Sequence, residues 1–270
     1  MSQALRPRPR PARKRFGQHF LEPAWVAKLV DALDARPDDT YLEIGPGRGA
    51  LTVPLASRVK RLLAVEIDRD LAADLPAKVP DIRLLQADFL DVDLTELLRD
   101  VPKPVRVVGN LPYNVASPIL FKLLDDADDG RVLSDATLML QKEVADRLVA
   151  TPGSEGYGAL AIQVALLADA ERLLSLPPGA FRPPPKVKSA VVRLRFRAPK
   201  VEVGDRTMFE RLVRGLFLQR RKTLANALRP VADSVARSAT EMIERAQVDG
   251  SKRPEALTLD DFARLARAML

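Results

Sequence analysis

The stretch Tyr41-Leu42-Glu43-Ile44-Gly45-Pro46-Gly47-Arg48-Gly49-Ala50 decides how the rest of the chain is read. An apolar run from Tyr41 to Ile44, broken only by the Glu43 carboxylate, ends at three closely spaced glycines, and a helical pattern starts at Leu51. Strand, glycine turn, helix is the opening of a parallel α/β unit. Glycine lets the main chain turn sharply there and approach a ligand at the helix start. The segment Gly45 to Ala50 also satisfies the G-x-G-x-x-G/A dinucleotide pattern. Alone, the loop leaves three readings open: a dinucleotide site, a site for another adenosine cofactor, or a turn that serves structure only.

Outward from this stretch, short apolar runs continue to alternate with helical segments, as in a parallel sheet with crossover helices. Further strands are expected at Leu62 to Glu66, Ile82 to Gln86, Val105 to Gly109 and Ala136 to Leu140. Helices fit Leu51 to Arg58, Arg69 to Leu75, Leu94 to Asp100, Ser117 to Asp125 and Lys142 to Val149, with a lead-in helix at Trp25 to Leu33. A helical run, Gly158 to Leu167, precedes strand-like pieces at Arg172 to Leu176 and Ala190 to Phe196. Pro177-Pro178 and Pro183-Pro184-Pro185 make the connection between these two pieces long and rigid. From about Thr207 to Leu270 the pattern is helical only, which implies a small α-helical appendage.

Carboxylates at strand ends narrow the ligand. Glu66 ends the second strand 19 residues after Gly47, where a carboxylate can accept both hydroxyls of a ribose. Asp88 follows the third strand, where it can accept an adenine amino group while Phe89 flanks the ring. Glu43, beside the loop, would repel a pyrophosphate but favour an ammonium group. With Glu66 and Asp88 it points to S-adenosylmethionine over NAD. The fourth strand runs into Gly109-Asn110-Leu111-Pro112-Tyr113-Asn114, which holds two of the three Asn in the chain. An Asn-x-Pro segment is often only a turn. Here it stands at the carboxyl end of the strand beside the cofactor strand, where doubly wound sheets bind ligands. The Asn110 amide oxygen and the Leu111 carbonyl can accept the hydrogens of an exocyclic adenine amine and favour its nucleophilic form. Pro112 would stiffen that carbonyl, and Tyr113 would stack on an extruded base.

Composition excludes other chemistry. The chain of 270 residues has no Cys and one His, so zinc ribbons, thiolate clusters, disulfide frameworks and redox pairs are ruled out, and no metal site is expected. The best candidate membrane segment, Gly156 to Ala168, is only 13 residues long and contains Gln163. With no secretory signal pattern at the N-terminus, a cytoplasmic protein is expected. The net charge of +7 is unevenly distributed: residues 1–15 carry +6, residues 16–180 carry −9 and residues 181–270 carry +10. An acidic body with basic flanks suits a buried chemical centre held against a phosphate backbone. The proline-rich arm Arg6 to Pro11 is expected to be extended or disordered until something binds it.

Five segments together resemble the ribosomal RNA adenine dimethyltransferase family, KsgA type. They are Lys14 to Leu21, the Glu43 to Gly49 loop, Asn110 to Tyr113, Phe181 to Val187 and Gln219 to Leu224, and the likeness runs from about Arg13 to Leu228. The resemblance implies a Class I Rossmann-like methyltransferase fold whose seven-stranded sheet has its last strand inserted antiparallel, plus a C-terminal helical domain. The corresponding division is a basic flexible arm at 1–15, a catalytic domain at 16–200 and a helical domain at 201–270. By matched position, His19 and Leu21 would cap S-adenosylmethionine with Gln18 nearby, and Gly45 and Gly47 would contact its methionine part. Glu66 would take its ribose, Asp88 its adenine, and Asn110 both methyl donor and target amine. Phe181 would close on the target base opposite Tyr113.

The implied activity is dimethylation at N6 of two adjacent adenosines in the 3'-terminal hairpin loop of small-subunit (16S) rRNA, by a monomer acting on an immature 30S subunit. Two alternatives are a large-subunit rRNA adenine methyltransferase of the antibiotic-resistance type and a non-catalytic small-subunit assembly factor. Residues 182–229 hold 14 basic and 3 acidic residues, and with the arm they are the expected RNA grip. Removing residues 1–12 is therefore expected to weaken RNA binding and flatten its salt dependence while leaving cofactor affinity nearly unchanged; filter binding across a salt series and a cofactor titration check both.

Overall fold

In the computed structural model the described residues are 19–127 and 130–270. The strands are β1 (Phe20–Leu21), β2 (Thr40–Ile44), β3 (Arg61–Glu66), β4 (Arg83–Gln86), β5 (Val105–Asn110), β6 (Leu133–Gln141), β7 (Ala168–Leu176), β8 (Phe181–Arg182) and β9 (Ser189–Phe196). The helices are α1 (Pro23–Ala32), α2 (Thr52–Ala56), α3 (Arg69–Asp74), α4 (Leu94–Leu97), α5 (Ala116–Asp126), α6 (Lys142–Leu148) and α7 (Ala159–Leu167). After the last strand come α8 (Arg206–Leu218), α9 (Leu224–Ala227), α10 (Arg229–Asp233), α11 (Ala239–Ala246) and α12 (Leu259–Arg267).

Seven strands form one sheet in the order β4-β3-β2-β5-β6-β9-β7. Strands β2 to β6 pair in parallel, and β9 is inserted antiparallel to both β6 and β7. This is the Rossmann-like sheet that the sequence pattern and its resemblance imply. Period-two alternation sends successive side chains to opposite faces. Leu42, Ile44, Val107, Leu138 and Val192 pack into one hydrophobic cluster, and their neighbours Tyr41, Val108, Met139 and Val191 into another. The first cluster extends without a break into Leu212, Phe262 and Leu265 of the C-terminal helices. Helix α7 lies in this cluster, with Leu160, Ile162, Val164 and Leu166 all buried. A helix covered on nearly every side needs no polar face, which explains a run broken only by the buried Gln163.

Three departures from the sequence reading have local causes. Strand β7 starts at Ala168, four residues before the apolar pattern does. It is an edge strand whose alternate residues, such as Asp169 and Glu171, face water. Helix α4 stops at Leu97, with the Asp93 side chain capping its start by accepting from the Thr95 and Glu96 amides. The two-residue strands β1 and β8 pair antiparallel, Phe20 with Arg182 and Leu21 with Phe181. Such short strands carry no periodicity to read. Among the described residues no helix is long and apolar enough to cross a membrane.

Gly109 in β5 shows how tightly the centre is packed. A Cβ there would lie 2.9 Å from the Ile44 carbonyl oxygen and 3.0 Å from Leu111 Cδ2. Gly109→Ala is therefore expected to lower unfolding free energy by about 1–3 kcal/mol, measured by urea denaturation, because the backbone oxygen cannot move aside.

Candidate active site

A crevice opens at the carboxyl ends of β2 and β5. The helix after β2 packs through Leu55 against one face of the sheet, and the helix after β5 packs through Leu120 against the other. Neighbouring parallel strands whose connections part in this way leave a gap above their ends, the usual ligand position in open α/β sheets. The cavity there is lined by the glycine loop, by Glu43 and Glu66, by Asp88 and Phe89, and by Asn110 to Val115, with His19, Phe20 and Leu21 above.

The loop works through left-handed backbone. Gly45, Gly47 and Gly49 have φ of +68°, +58° and +80°. Nothing lies within 4 Å of a Cβ built at Gly45, whereas one at Gly49 would meet Leu75 Cδ1 at 2.8 Å. Gly45 thus keeps a ligand path open, while Gly49 lets the loop close on its neighbours. The Gly47 amide donates to Glu66 Oε2 at 2.9 Å and the Asp68 amide to Oε1 at 2.8 Å, so Glu66 is oriented by the loop it faces. Burial pushes its carboxyl above the usual range, against the effect of those two donors.

Glu43 is only 2% exposed, and its Oε2 has no hydrogen-bond partner among the described residues. Burial pushes its pKa up to about 8, with the Glu66 charge adding to the shift and Thr52 opposing it. A buried acceptor without a partner, on the wall of a cavity and next to a second carboxylate, fits a cationic ligand group. Asp88 sits at the mouth with one oxygen accepting from the Leu90 amide at 3.0 Å, and this turn places buried Phe89 along the cavity.

On the other side, the Asn110 amide nitrogen donates to the His19 carbonyl at 3.1 Å. A carbonyl can only accept, so this contact assigns the nitrogen to His19 and leaves Oδ1 without a partner among the described residues. The His19 ring stacks on Tyr113 with centroids 5.9 Å apart and 24° between planes. Its Nδ1 donates to the Pro183 carbonyl at 2.8 Å, which fixes the proton on Nδ1. The Tyr113 hydroxyl is 2.7 Å from Ser189 Oγ. Phe20 is covered by the Arg48 guanidinium at 4.1 Å from its ring centroid, which ties β1 to the glycine loop.

The structure therefore brings together His19, Leu21, Glu43, Gly45, Gly47, Glu66, Asp88, Phe89, Asn110, Leu111, Pro112 and Tyr113 around one cavity. Gln18 lies outside the described residues. Phe181 is not among the residues that line this cavity: it is 1% exposed in the cluster with Leu29, Tyr41 and Val191. In β8 its neighbour Arg182 points outward and bonds Glu22, so alternation turns Phe181 into the core. Sequence reasoning missed Ile67, Met139 and Ile119 on the cavity wall, and Ser189 behind Tyr113. Ile67 is 45% exposed directly after Glu66, an apolar residue at a strand end where a flat ring could rest. That position was a usable signal. Among the described residues no group of His or acidic side chains is placed to hold a metal ion.

Comparison with known proteins agrees with this geometry. A family model described as ribosomal RNA adenine dimethylase matches residues 10–269. The chain is 46% identical over 261 residues to the ribosomal RNA small subunit methyltransferase A of Xanthomonas oryzae pv. oryzae (strain PXO99A), covering 95% of each chain. It is 45% identical to the protein of the same name from Xanthomonas euvesicatoria pv. vesicatoria (strain 85-10), covering 96% of this chain and 97% of that one. Its fold matches a crystal structure of a dimethyladenosine transferase from Plasmodium falciparum with a TM-score of 0.74 at 24% identity, over 92% of this chain and 96% of that one. The 23S rRNA methyltransferase ErmE matches with a TM-score of 0.67 at 28% identity, over 93% of this chain and 99% of that one.

The buried acids give the ligand-free protein a pH signature. Glu43 holds its proton more tightly when folded, at about 8 against an ordinary 4.5, so its contribution to stability is full below the ordinary value and is lost as pH rises through about 8. Thermal melts of the ligand-free protein are expected to show a midpoint that falls between about pH 5 and about pH 8.5, with a shallower fall in Glu43→Gln.

Proposed function

Because the chain belongs to the ribosomal RNA adenine dimethylase family, we propose that it methylates N6 of two adjacent adenosines in the 3'-terminal hairpin loop of 16S rRNA, using S-adenosylmethionine. The observation that carries the chemistry is the Asn110 amide, whose nitrogen is occupied by the His19 carbonyl and whose oxygen is left to accept from an amine. When bound, S-adenosylmethionine supplies an electrophilic methyl group on a positively charged sulfur. The residues present fit it. Glu43 offers its unpartnered oxygen to the ammonium, Gly45 and Gly47 leave room for the methionine chain, and the remaining lone pairs of Glu66 take the ribose hydroxyls. Asp88 accepts from the adenine amino group beside Phe89, and His19 and Leu21 cover the ligand.

An adenine N6 nitrogen is a weak nucleophile because its lone pair is drawn into the ring. Asn110 Oδ1 and the Leu111 carbonyl accept its two hydrogens, favour the pyramidal amine and align it with the methyl donor. Tyr113 stacks on the extruded base. As the nitrogen–methyl bond forms, the sulfur–methyl bond would break and its electron pair stay on a neutral thioether; the amine becomes cationic and then loses a proton to water, so no side chain of high basicity is needed. After the first transfer one hydrogen remains for Asn110, which permits a second.

The small-subunit substrate is favoured over the large-subunit one because identity to the small-subunit enzymes is 46%, against 28% to ErmE. The partner in this reading is an immature 30S subunit, met in the cytoplasm by a monomer. In the same reading residues 16–200 form the catalytic domain, residues 201–270 a helical domain, and the arm with residues 182–229 grips the RNA. Incubation with labelled S-adenosylmethionine and undermethylated 30S subunits should place label on N6 of paired adenosines. Asn110→Ala should lower kcat about 100- to 1000-fold while S-adenosylhomocysteine still binds. Label on large-subunit RNA, or no N6-methylated adenosine, would overturn the reading.

A further inference from the structure

We infer that Ser189, which does not reach the cavity, is a positioning residue that sets the seat of the target base by holding the Tyr113 hydroxyl; this rests on the function proposed above. Ser189 is 1% exposed and opens β9. Its main chain is laddered on both sides, to Gln141 in β6 and to Leu176 in β7. Its hydroxyl is therefore anchored to a strand held on both sides by the sheet. The contact to Tyr113 spans 76 residues at 2.7 Å, a distance typical of a strong hydroxyl pair.

Three contacts and the chain from Pro183 to Ser189 close a ring around the aromatic, and a fourth contact ties Asn110 to it. Tyr113 is held at its hydroxyl by Ser189 and along its face by His19. His19 is held by the Pro183 carbonyl, and Pro183 begins the proline loop that leads back to Ser189. The His19 carbonyl holds Asn110. The stacking ring and the amine acceptor thus share one frame, set before any base arrives. A rotation of Tyr113 about its own backbone would slide a stacked base across the methyl donor, and the Ser189 hydrogen bond is what resists that rotation at the far end of the ring. Small misplacements of this kind act on the chemical step rather than on cofactor binding. The second transfer is the more sensitive one, because a methylated amine is bulkier and keeps a single hydrogen for its acceptors.

The test compares wild type, Ser189→Ala, Ser189→Thr, Tyr113→Phe and the Ser189→Ala/Tyr113→Phe double variant on undermethylated 30S subunits, with S-adenosylhomocysteine affinity measured beside each. Ser189→Ala is expected to lower kcat about ten- to hundredfold, leave S-adenosylhomocysteine affinity unchanged and raise the fraction of monomethylated adenosine. Ser189→Thr, which keeps the hydroxyl on a strand that tolerates branching, should restore the rate. Tyr113→Phe should resemble Ser189→Ala, and the double variant should be no worse than the worse single one. A wild-type rate in Ser189→Ala, losses that multiply in the double variant, or cofactor affinity falling in step with activity would each overturn the inference. If Ser189→Ala does not fold, Tyr113→Phe removes the same hydrogen bond from the surface side, and an unchanged rate there overturns it equally. Absence of methylation by the wild type would instead remove the function on which the inference rests.

Discussion

The parting of the chain above β2 and β5 is the constraint from which the site follows. These two strands are parallel neighbours, and the helices that leave them pack on opposite faces of the sheet. Neither of these two connections therefore covers the carboxyl ends, and polar groups there meet whatever enters. The turn out of β2 must also be sharp enough not to fill the gap, which calls for the positive φ of Gly45 and Gly47. The acids of β2, β3 and the turn beyond β4 step diagonally across neighbouring strands: Glu43 pairs with Ala64, two residues before Glu66, and Glu66 with Gln86, two residues before Asp88. A cover cannot come from the sheet itself. It is made by β1, pinned on one side by β8 and on the other by Arg48 stacked on Phe20.

What could be read from the sequence was what depends on local pattern. Strand β2, its glycine turn, Glu66 nineteen residues beyond Gly47 and the Asn110 segment all sit where alternation and spacing put them, because each is a strand end followed by a turn. What could not be read depends on contacts far apart in the chain. The pairing of Leu21 with Phe181 spans 160 residues and involves two residues per strand, too few for any periodic signal. That same pairing decides which way Phe181 points. In a proline-rich loop either side was open to it, and the alternation of β8 sends it to the core while Arg182 takes the outside. The hydroxyl of Ser189 was equally silent, since a serine at a strand start has no pattern that foretells a tyrosine partner 76 residues away.

Charge is sorted by depth as well as along the chain. The acidic body, at −9 over residues 16–180, keeps its site carboxylates Glu43 and Glu66 buried, at 2% and 4% exposure. Glu43 is pushed toward neutrality by burial, and Glu66 accepts two backbone amides. Such groups project little field to the surface, where screening acts within about 8 Å at physiological salt. A phosphate backbone drawn to the +10 of residues 181–270 thus approaches without meeting the full repulsion that the count of acids would suggest. The same buried acids act at short range on a cation, where a low local dielectric strengthens the attraction.

The single histidine of the chain illustrates how little acid–base chemistry the site requires. In many enzymes His would be the first candidate for a general base. Here its Nδ1 is committed to the Pro183 carbonyl, its ring lies on Tyr113, and its own carbonyl holds Asn110. It behaves as a spacer with three fixed faces. That arrangement suits a transfer in which the nucleophile loses its proton after the bond has formed: what limits such a reaction is the shape of the amine and its line to the methyl group, and both are matters of alignment. In the function proposed above, alignment falls to groups that do not titrate, the Asn110 amide and the Leu111 carbonyl, the first of them held by the His19 carbonyl. The residues of this frame are consequently dispersed over His19 just before β1, the end of β5 and the turn after it, the proline loop and β9, and none of these segments makes the frame alone.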